Sequence, residues 1–226
     1  MVTYYTAMGR LATKEERGTK IPVVIIDEEE FHIGADELMV WISLHWNFLN
    51  RMDLEKEYER RRQEARLFND ISFEYVVNRL EQRKLIVSAT EYLAADALYG
   101  LISRLRIRPV RFSTYDRLKS SLHLYFIKGL PIKVCLKAYF GEKLSKDEQK
   151  ILKLAENTGI TASEIIQCAE ENIDKLKDEE DIIDKLYNDP DATQETIAVA
   201  SRLSKLKTDV LQAVTNLYLK KKIVFE

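Results

Sequence analysis

Glycine and proline are scarce in this 226-residue chain, with seven and four copies. So few turn-formers, beside abundant Leu, Ile, Glu and Lys, argue against a sandwich or barrel and for helices. Cys135 and Cys168 are the only cysteines. They exclude a disulfide framework, read as two buried thiols, and make a reducing cytoplasm the expected location. No apolar run approaches the about 20 residues that span a bilayer, and Met1-Val2-Thr3-Tyr4-Tyr5 lacks the basic and apolar regions of a signal peptide. No membrane partner is expected. The sequence holds no Gly-rich phosphate loop, no Gly-x-Ser-x-Gly and no His-Glu-x-x-His. His32, His45 and His123 lie too far apart for metal-ligand spacing, and Asp178-Glu179-Glu180-Asp181 lacks the pattern of a calcium loop. An enzyme is therefore not expected, nor a catalytic residue, a metal or a cofactor. His45, on an apolar helix face, reads as a hydrogen-bonded core residue.

What is present is enough apolar sequence, 46%, to bury a real core, with 32% charged residues. The net charge of −2 conceals segregation. Residues 1–59 carry 6 basic against 12 acidic side chains, and residues 60–120 carry 13 against 7. Residues 142–191 reverse again, with 7 against 15, and residues 192–226 carry 6 against 3. Two basic zones on an acidic chain fit a protein that meets a polyanion on one surface, although helical surfaces are charged in any case.

Along the chain, Arg10–Lys20 reads as a polar loop, and residues 22–33 as a short hairpin around Asp27-Glu28-Glu29-Glu30. A helix begins near Ala35 with Asp36 and Glu37 in its first turn. A second, very charged one covers Asp53–Phe68, with Leu54, Tyr58 and Ala65 as its sparse apolar stripe. Ser72 caps a third, in which Phe73, Val76, Val77 and Leu80 recur at i, i+3, i+4 and i+7 and form one buried face. Its opposite face presents Tyr75, Asn78, Arg79 and Gln82, with Arg83 and Lys84 at the exit before the strand Leu85-Ile86-Val87. Ser88–Glu91 then runs into a helix over Ala94–Arg104. Arg104-Leu105-Arg106-Ile107-Arg108 alternates so that a strand would set three guanidinium groups on one side, and Arg111, Arg117 and Lys119 extend that basic zone. Ser145 and Thr161 open capping boxes for helices near 146–157 and 162–176, with Gly159 suited to a helix C′ position. A short acidic helix surrounds Ile182, Ile183 and Leu186. Two more helices, Thr193–Ser204 and Thr208–Lys221, lead to a strand at Ile223-Val224-Phe225.

The last segment echoes the third helix. At a shift of 137 residues, Ser72, Phe73, Val76, Val77 and Leu80 fall on Asp209, Val210, Ala213, Val214 and Leu217. One inserted residue then aligns Arg83-Lys84-Leu85-Ile86-Val87 with Lys221-Lys222-Ile223-Val224-Phe225. Leu154-Ala155 and Gly159-Ile160 have helix-turn-helix spacing, but Glu164, Glu170 and Glu171 on the following helix would face phosphates, so that segment reads as packing.

Ile197–Val224, and more loosely Phe73–Val87, resemble the helix, turn, recognition helix and strand of bacterial winged-helix regulators such as the MarR group. The resemblance covers about a third of the chain, without a wing hairpin after Val87 or Phe225. It implies a mainly α fold with one or two winged-helix-like units and a short N-terminal β-hairpin. The corresponding domains are 1–120 and 121–226, the second ending in a truncated unit. By the same resemblance Ser72, Tyr75, Asn78, Arg79 and Gln82 face bases and Arg83 and Lys84 face phosphates, with Gln212, Asn216, Lys220 and Lys221 in those places of the second copy. Arg104, Arg106 and Arg108 would add phosphate contacts. The expected function is transcriptional regulation by binding double-stranded DNA through helix 72–84, as a homodimer because paired half-sites need paired readers. The alternative is a non-enzymatic adaptor that docks protein partners through its acidic helices.

Overall fold

The computed structural model describes residues 1–67, 70–110, 143–189 and 191–226. Its first four strands occupy residues expected to hold a loop and one hairpin. They are β1 (Val2–Ala7), β2 (Arg10–Glu16), β3 (Thr19–Ile26) and β4 (Glu29–His32). Strands β2, β3 and β4 form an antiparallel meander, turning at Arg17-Gly18 and at Asp27-Glu28, all four with positive φ as tight hairpins require. Gly9, with φ 77°, joins β1 to this sheet, and a Cβ there would stand 2.3 Å from the Ile25 carbonyl oxygen. Only glycine fits.

Next come α1 (Ala35–Leu44), β5 (Leu49–Asn50), α2 (Arg51–Glu64), α3 (Phe73–Gln82) and β6 (Ile86–Glu91). In α3 the apolar spacing acts as expected: Phe73, Val76, Val77 and Leu80 are all buried, and the Ser72 hydroxyl accepts from the Tyr75 amide at 3.3 Å. Helix α4 (Ala94–Ile102) packs on β1 and β6. The chain continues through β7 (Arg106–Pro109), α5 (Lys146–Ala155), β8 (Ile160–Thr161), α6 (Ala162–Glu170), α7 (Glu179–Leu186), α8 (Gln194–Arg202), α9 (Lys207–Leu219) and β9 (Ile223–Phe225).

The expectation of a mainly α fold is overturned. Among the described residues, nine helices share the chain with three antiparallel three-stranded sheets. Two signals misled. Arg10–Glu16 carries no apolar period, because neither face of β2 is buried. Ser88–Glu91, read as an approach to a helix, prolongs β6, which pairs with β1 from Val2↔Glu91 to Ala7↔Ile86. The winged-helix-like description is corrected with it: β6 and β9 are each paired with a strand from earlier in the chain, β1 and β7, rather than with a downstream wing strand.

The echo extends to a whole unit. Helices α1 and α5 are both ten residues long and 111 residues apart, and in both the third residue is a glutamate that accepts from the cap amide, Glu37 from Gly34 and Glu148 from Ser145. The two-residue strands β5 and β8 keep that offset. Their second residues, Asn50 and Thr161, cap the following helices by accepting from the amides of Asp53 and Glu164. The sheets have matching order, β5-β1-β6 and β8-β7-β9, with the earliest strand in the centre. Tyr5 pairs with Leu49 and Ser88, as Ile107 pairs with Ile160 and Phe225. Helices α3 and α9 end alike. Lys84 and Lys221 are left-handed (φ 55° and 59°), and the next amides, Leu85 and Lys222, reach back to Leu80 and Leu217, each at 2.9 Å. Met8 then donates to the Leu85 carbonyl and Val110 to that of Lys222. The offset of 137 therefore runs without the inserted residue: Arg83 matches Lys220, and Lys84 matches Lys221.

Two cores result. Val40, Trp41, Leu44, Leu54, Tyr58 and Leu80 fill the first; Ile107, Leu154, Ile165, Leu217, Tyr218 and Phe225 belong to the second. They meet at Tyr218, whose hydroxyl donates to the Leu44 carbonyl at 3.2 Å and accepts from Thr6 at 2.9 Å. The Gly9 amide also donates to the Phe225 carbonyl at 2.7 Å, and the Trp46 indole to that of Ile223 at 3.2 Å.

Candidate nucleic-acid interface

Helix α3 holds four of its side chains in the core and turns the rest outward. Tyr75, Asn78, Arg79, Gln82 and Lys84 are all exposed, as is the capping Ser72. Arg79 is anchored: its Nε lies 3.0 Å from Glu37 Oε1. Arg83 is drawn inward instead. Its Nη1 donates to both Glu37 oxygens at 2.9 and 3.0 Å, and its Nη2 donates to the His32 carbonyl. The phosphate-facing role expected of it would therefore compete with a structural one.

Glu37 was visible in the sequence only as an acid in a helix's first turn. Its contact with residues more than forty positions away has no local signature. It is buried at 6% exposure and also accepts from the Gly34 amide at 2.8 Å. Asp36 beside it accepts from the Tyr58 hydroxyl at 3.1 Å and forms an ion pair with Arg62, Nε to oxygen 3.3 Å. Together His32, Gly34, Glu37, Tyr75, Arg79 and Arg83 edge one open cavity where α1 begins against the outer side of α3.

In the second copy Gln212 and Lys221 are exposed, with Lys221 Nζ 5.1 Å from the Trp46 ring centre. Lys220 bonds both oxygens of buried Glu148, at 2.7 and 2.9 Å, and Asn216 bonds the same carboxylate. Burial works to raise the pKa of Glu148, but Lys220 and the Ser145 amide outweigh it and hold the carboxyl below its ordinary range.

The three arginines of the basic stretch do not join α3. Strand β7 packs with β8, β9 and α5, whereas α3 packs on α1 and β6. Arg106 and Arg108 flank buried Ile107, as the alternation predicts. Arg108 has acids around it, Glu226 at 3.4 Å, Glu179 at 3.5 Å and Asp27 at 3.9 Å, and Arg104 lies 3.8 Å from Glu195. Gly159 is no left-handed cap; a Cβ there would touch the side chains of Arg106 and Arg108 at 3.2–3.3 Å. Arg111, Arg117, Lys119 and Cys135 lie outside the described residues.

Other polar groups are quiet. Cys168 is fully buried, and burial, then Glu164 and Glu171, push its thiol up to about 12. His45 stacks on Trp41 and lies tilted against Trp46, at ring-centre distances of 4.4 and 3.8 Å, and makes no side-chain hydrogen bond among the described residues. Burial, then the charge of Lys221, lowers its pKa to about 4. Among the described residues no group of three His, Cys, Asp or Glu side chains could hold a metal, and no helix is long and apolar enough to cross a membrane. Comparison with known protein families, with curated proteins and with solved structures finds no match for this chain.

Proposed function

We propose that the chain is a non-enzymatic, cytoplasmic DNA-binding protein, a transcriptional regulator that reads duplex DNA through the outer face of α3. The observation that carries this reading is the composition of that face. Tyr75, Asn78, Gln82 and Lys84 stand exposed with no side-chain hydrogen bond or ion pair among the described residues, and Arg79 stands among them with a single anchor. Asn and Gln amides pair bidentately with adenine in the major groove and an arginine fork pairs with guanine. Tyr75 suits sugar or a thymine methyl, and Lys84, at the helix exit, suits phosphate. The second copy has Thr215 and Leu219 where the first has Asn78 and Gln82, so one chain offers one such reader. A homodimer would supply the second.

Fluorescence anisotropy with a random-sequence duplex tests the reading. Binding is expected at about 50 mM salt and weakens steeply as salt rises. Asn78→Ala with Arg79→Ala lowers affinity about tenfold or more without moving the melting temperature. No binding at about 50 mM salt overturns the proposal.

One feature favours a second reading, a protein-docking adaptor. Tyr92, Leu93, Val199 and Leu203 are 80%, 65%, 66% and 86% exposed. They flank the ion pairs of Arg202 with Glu91 at 3.2 Å and Asp96 at 3.9 Å, so apolar side chains from both units stand near each other. Under that reading the duplex titration stays flat.

A further inference from the structure

We propose that Glu37 is the positioning residue of the α3 face, fixing the direction in which Arg79 presents its guanidinium; this rests on the DNA-binding reading above. Glu37 is third in α1 and cannot swing away. One oxygen takes the Gly34 amide at 2.8 Å, and Arg83 bonds both oxygens while also holding the His32 carbonyl. The carboxylate is thus a fixed post at the edge of α3, and Arg79 meets it through Nε at 3.0 Å. The 3.0 Å contact is made by Nε and the Arg79 side chain is 52% exposed, so the edge of the fork formed by its two Nη groups is left for a partner. That edge of the fork matches the O6 and N7 acceptors of guanine. A long side chain already held in this way loses less freedom on binding than a free one.

The duplicated unit separates this role from plain scaffolding. Glu148 repeats the post, with its own capping box and with Lys220 in the place of Arg83. Asn216 occupies the place of Arg79 and bonds the carboxylate. The post therefore belongs to the architecture of each unit, and only the first carries a guanidinium fork on it.

The sign of the effect is diagnostic. Glu37 places a negative charge beside a surface meant for a polyanion, so removing that charge strengthens sequence-independent binding. If it also aims Arg79, removing it weakens discrimination.

The preferred duplex is first selected from a random pool with the intact chain, and Kd is then measured on that duplex and on a scrambled one. Glu37→Gln keeps an oxygen that accepts from the Gly34 amide. It is expected to lower the preferred-to-scrambled ratio about tenfold while leaving scrambled binding unchanged or tighter. Arg79→Lys keeps the charge, loses the fork and shows the same loss, and the double variant loses no more than either single one. Glu148→Gln leaves the ratio unchanged. An unaltered ratio in Glu37→Gln overturns the proposal, as does equal weakening on both duplexes with a lowered melting temperature. Should Glu37→Gln fail to fold, a full ratio in Arg79→Lys overturns it alone. If the intact chain binds no duplex, the DNA reading itself falls and takes this inference with it.

Discussion

The first unit closes its buried glutamate with two guanidinium groups and the second closes its own with an ammonium and an amide. Around these posts the backbone repeats from the cap of the first helix to the last strand. Among the described residues, the first unit has the β2–β4 meander between its central strand and first helix, and the second has α7 and α8 between α6 and α9. Helix outer faces diverge more than caps and sheet registers do. The frame is fixed by backbone hydrogen bonds and apolar contacts that one substitution breaks, whereas an exposed position such as Gln82 or Leu219 bears little of the load.

The largest expected effect tests the two posts against each other. Lys220→Ala removes the cation bonded to Glu148 among the described residues, a carboxylate 1% exposed, and should cost about 3 kcal/mol in chemical denaturation. Arg83→Ala leaves Arg79 on Glu37 and should cost about 1 kcal/mol. Equal losses would break the distinction. His45 gives the second contrast, since its counterpart at the end of α5 is Glu156. Its folded-state pKa of about 4 lies below the unfolded value of about 6.5. The unfolded chain therefore binds the proton first; the stability is complete above about pH 6.5, and up to about 3 kcal/mol is lost as pH falls toward 4. Urea midpoints over that range should flatten in His45→Phe, and an unchanged slope would exclude His45 as the cause. The smallest effect concerns the paired left-handed caps. Lys84→Gly relieves a positive φ and should raise stability by about 0.5–1 kcal/mol. Lys221→Gly should gain less, because it also gives up the contact with Trp46. Thermal melts of the two variants rank them.

The helices were largely legible because their signals are local. Ser72, Ser145 and Thr161 cap the helices expected of them, and the four apolar positions of α3 are its buried ones. The outward direction of Tyr75, Asn78, Arg79 and Gln82 follows from the same period. The N-terminal sheet was not legible, since Arg10–Glu16 has no apolar face and declares itself a strand only through its pairing with β3. Among the site residues, Arg79 and Arg83 were visible as charges, but their shared partner was not.

What the sequence alone determined is therefore which segments become helices and which helix faces are buried, because caps and the 3.6-residue period act within a few residues. The tertiary structure decided the rest: that β1 and β7 enter the sheets of later strands, that the echo is a whole repeated unit, and that Arg83 turns inward while Arg79 stays at the surface. Those outcomes depend on hydrogen bonds and ion pairs between residues 46 to 212 positions apart, such as Glu37 with Arg83 and Thr6 with Tyr218. Such partners come together only once the chain has closed on itself.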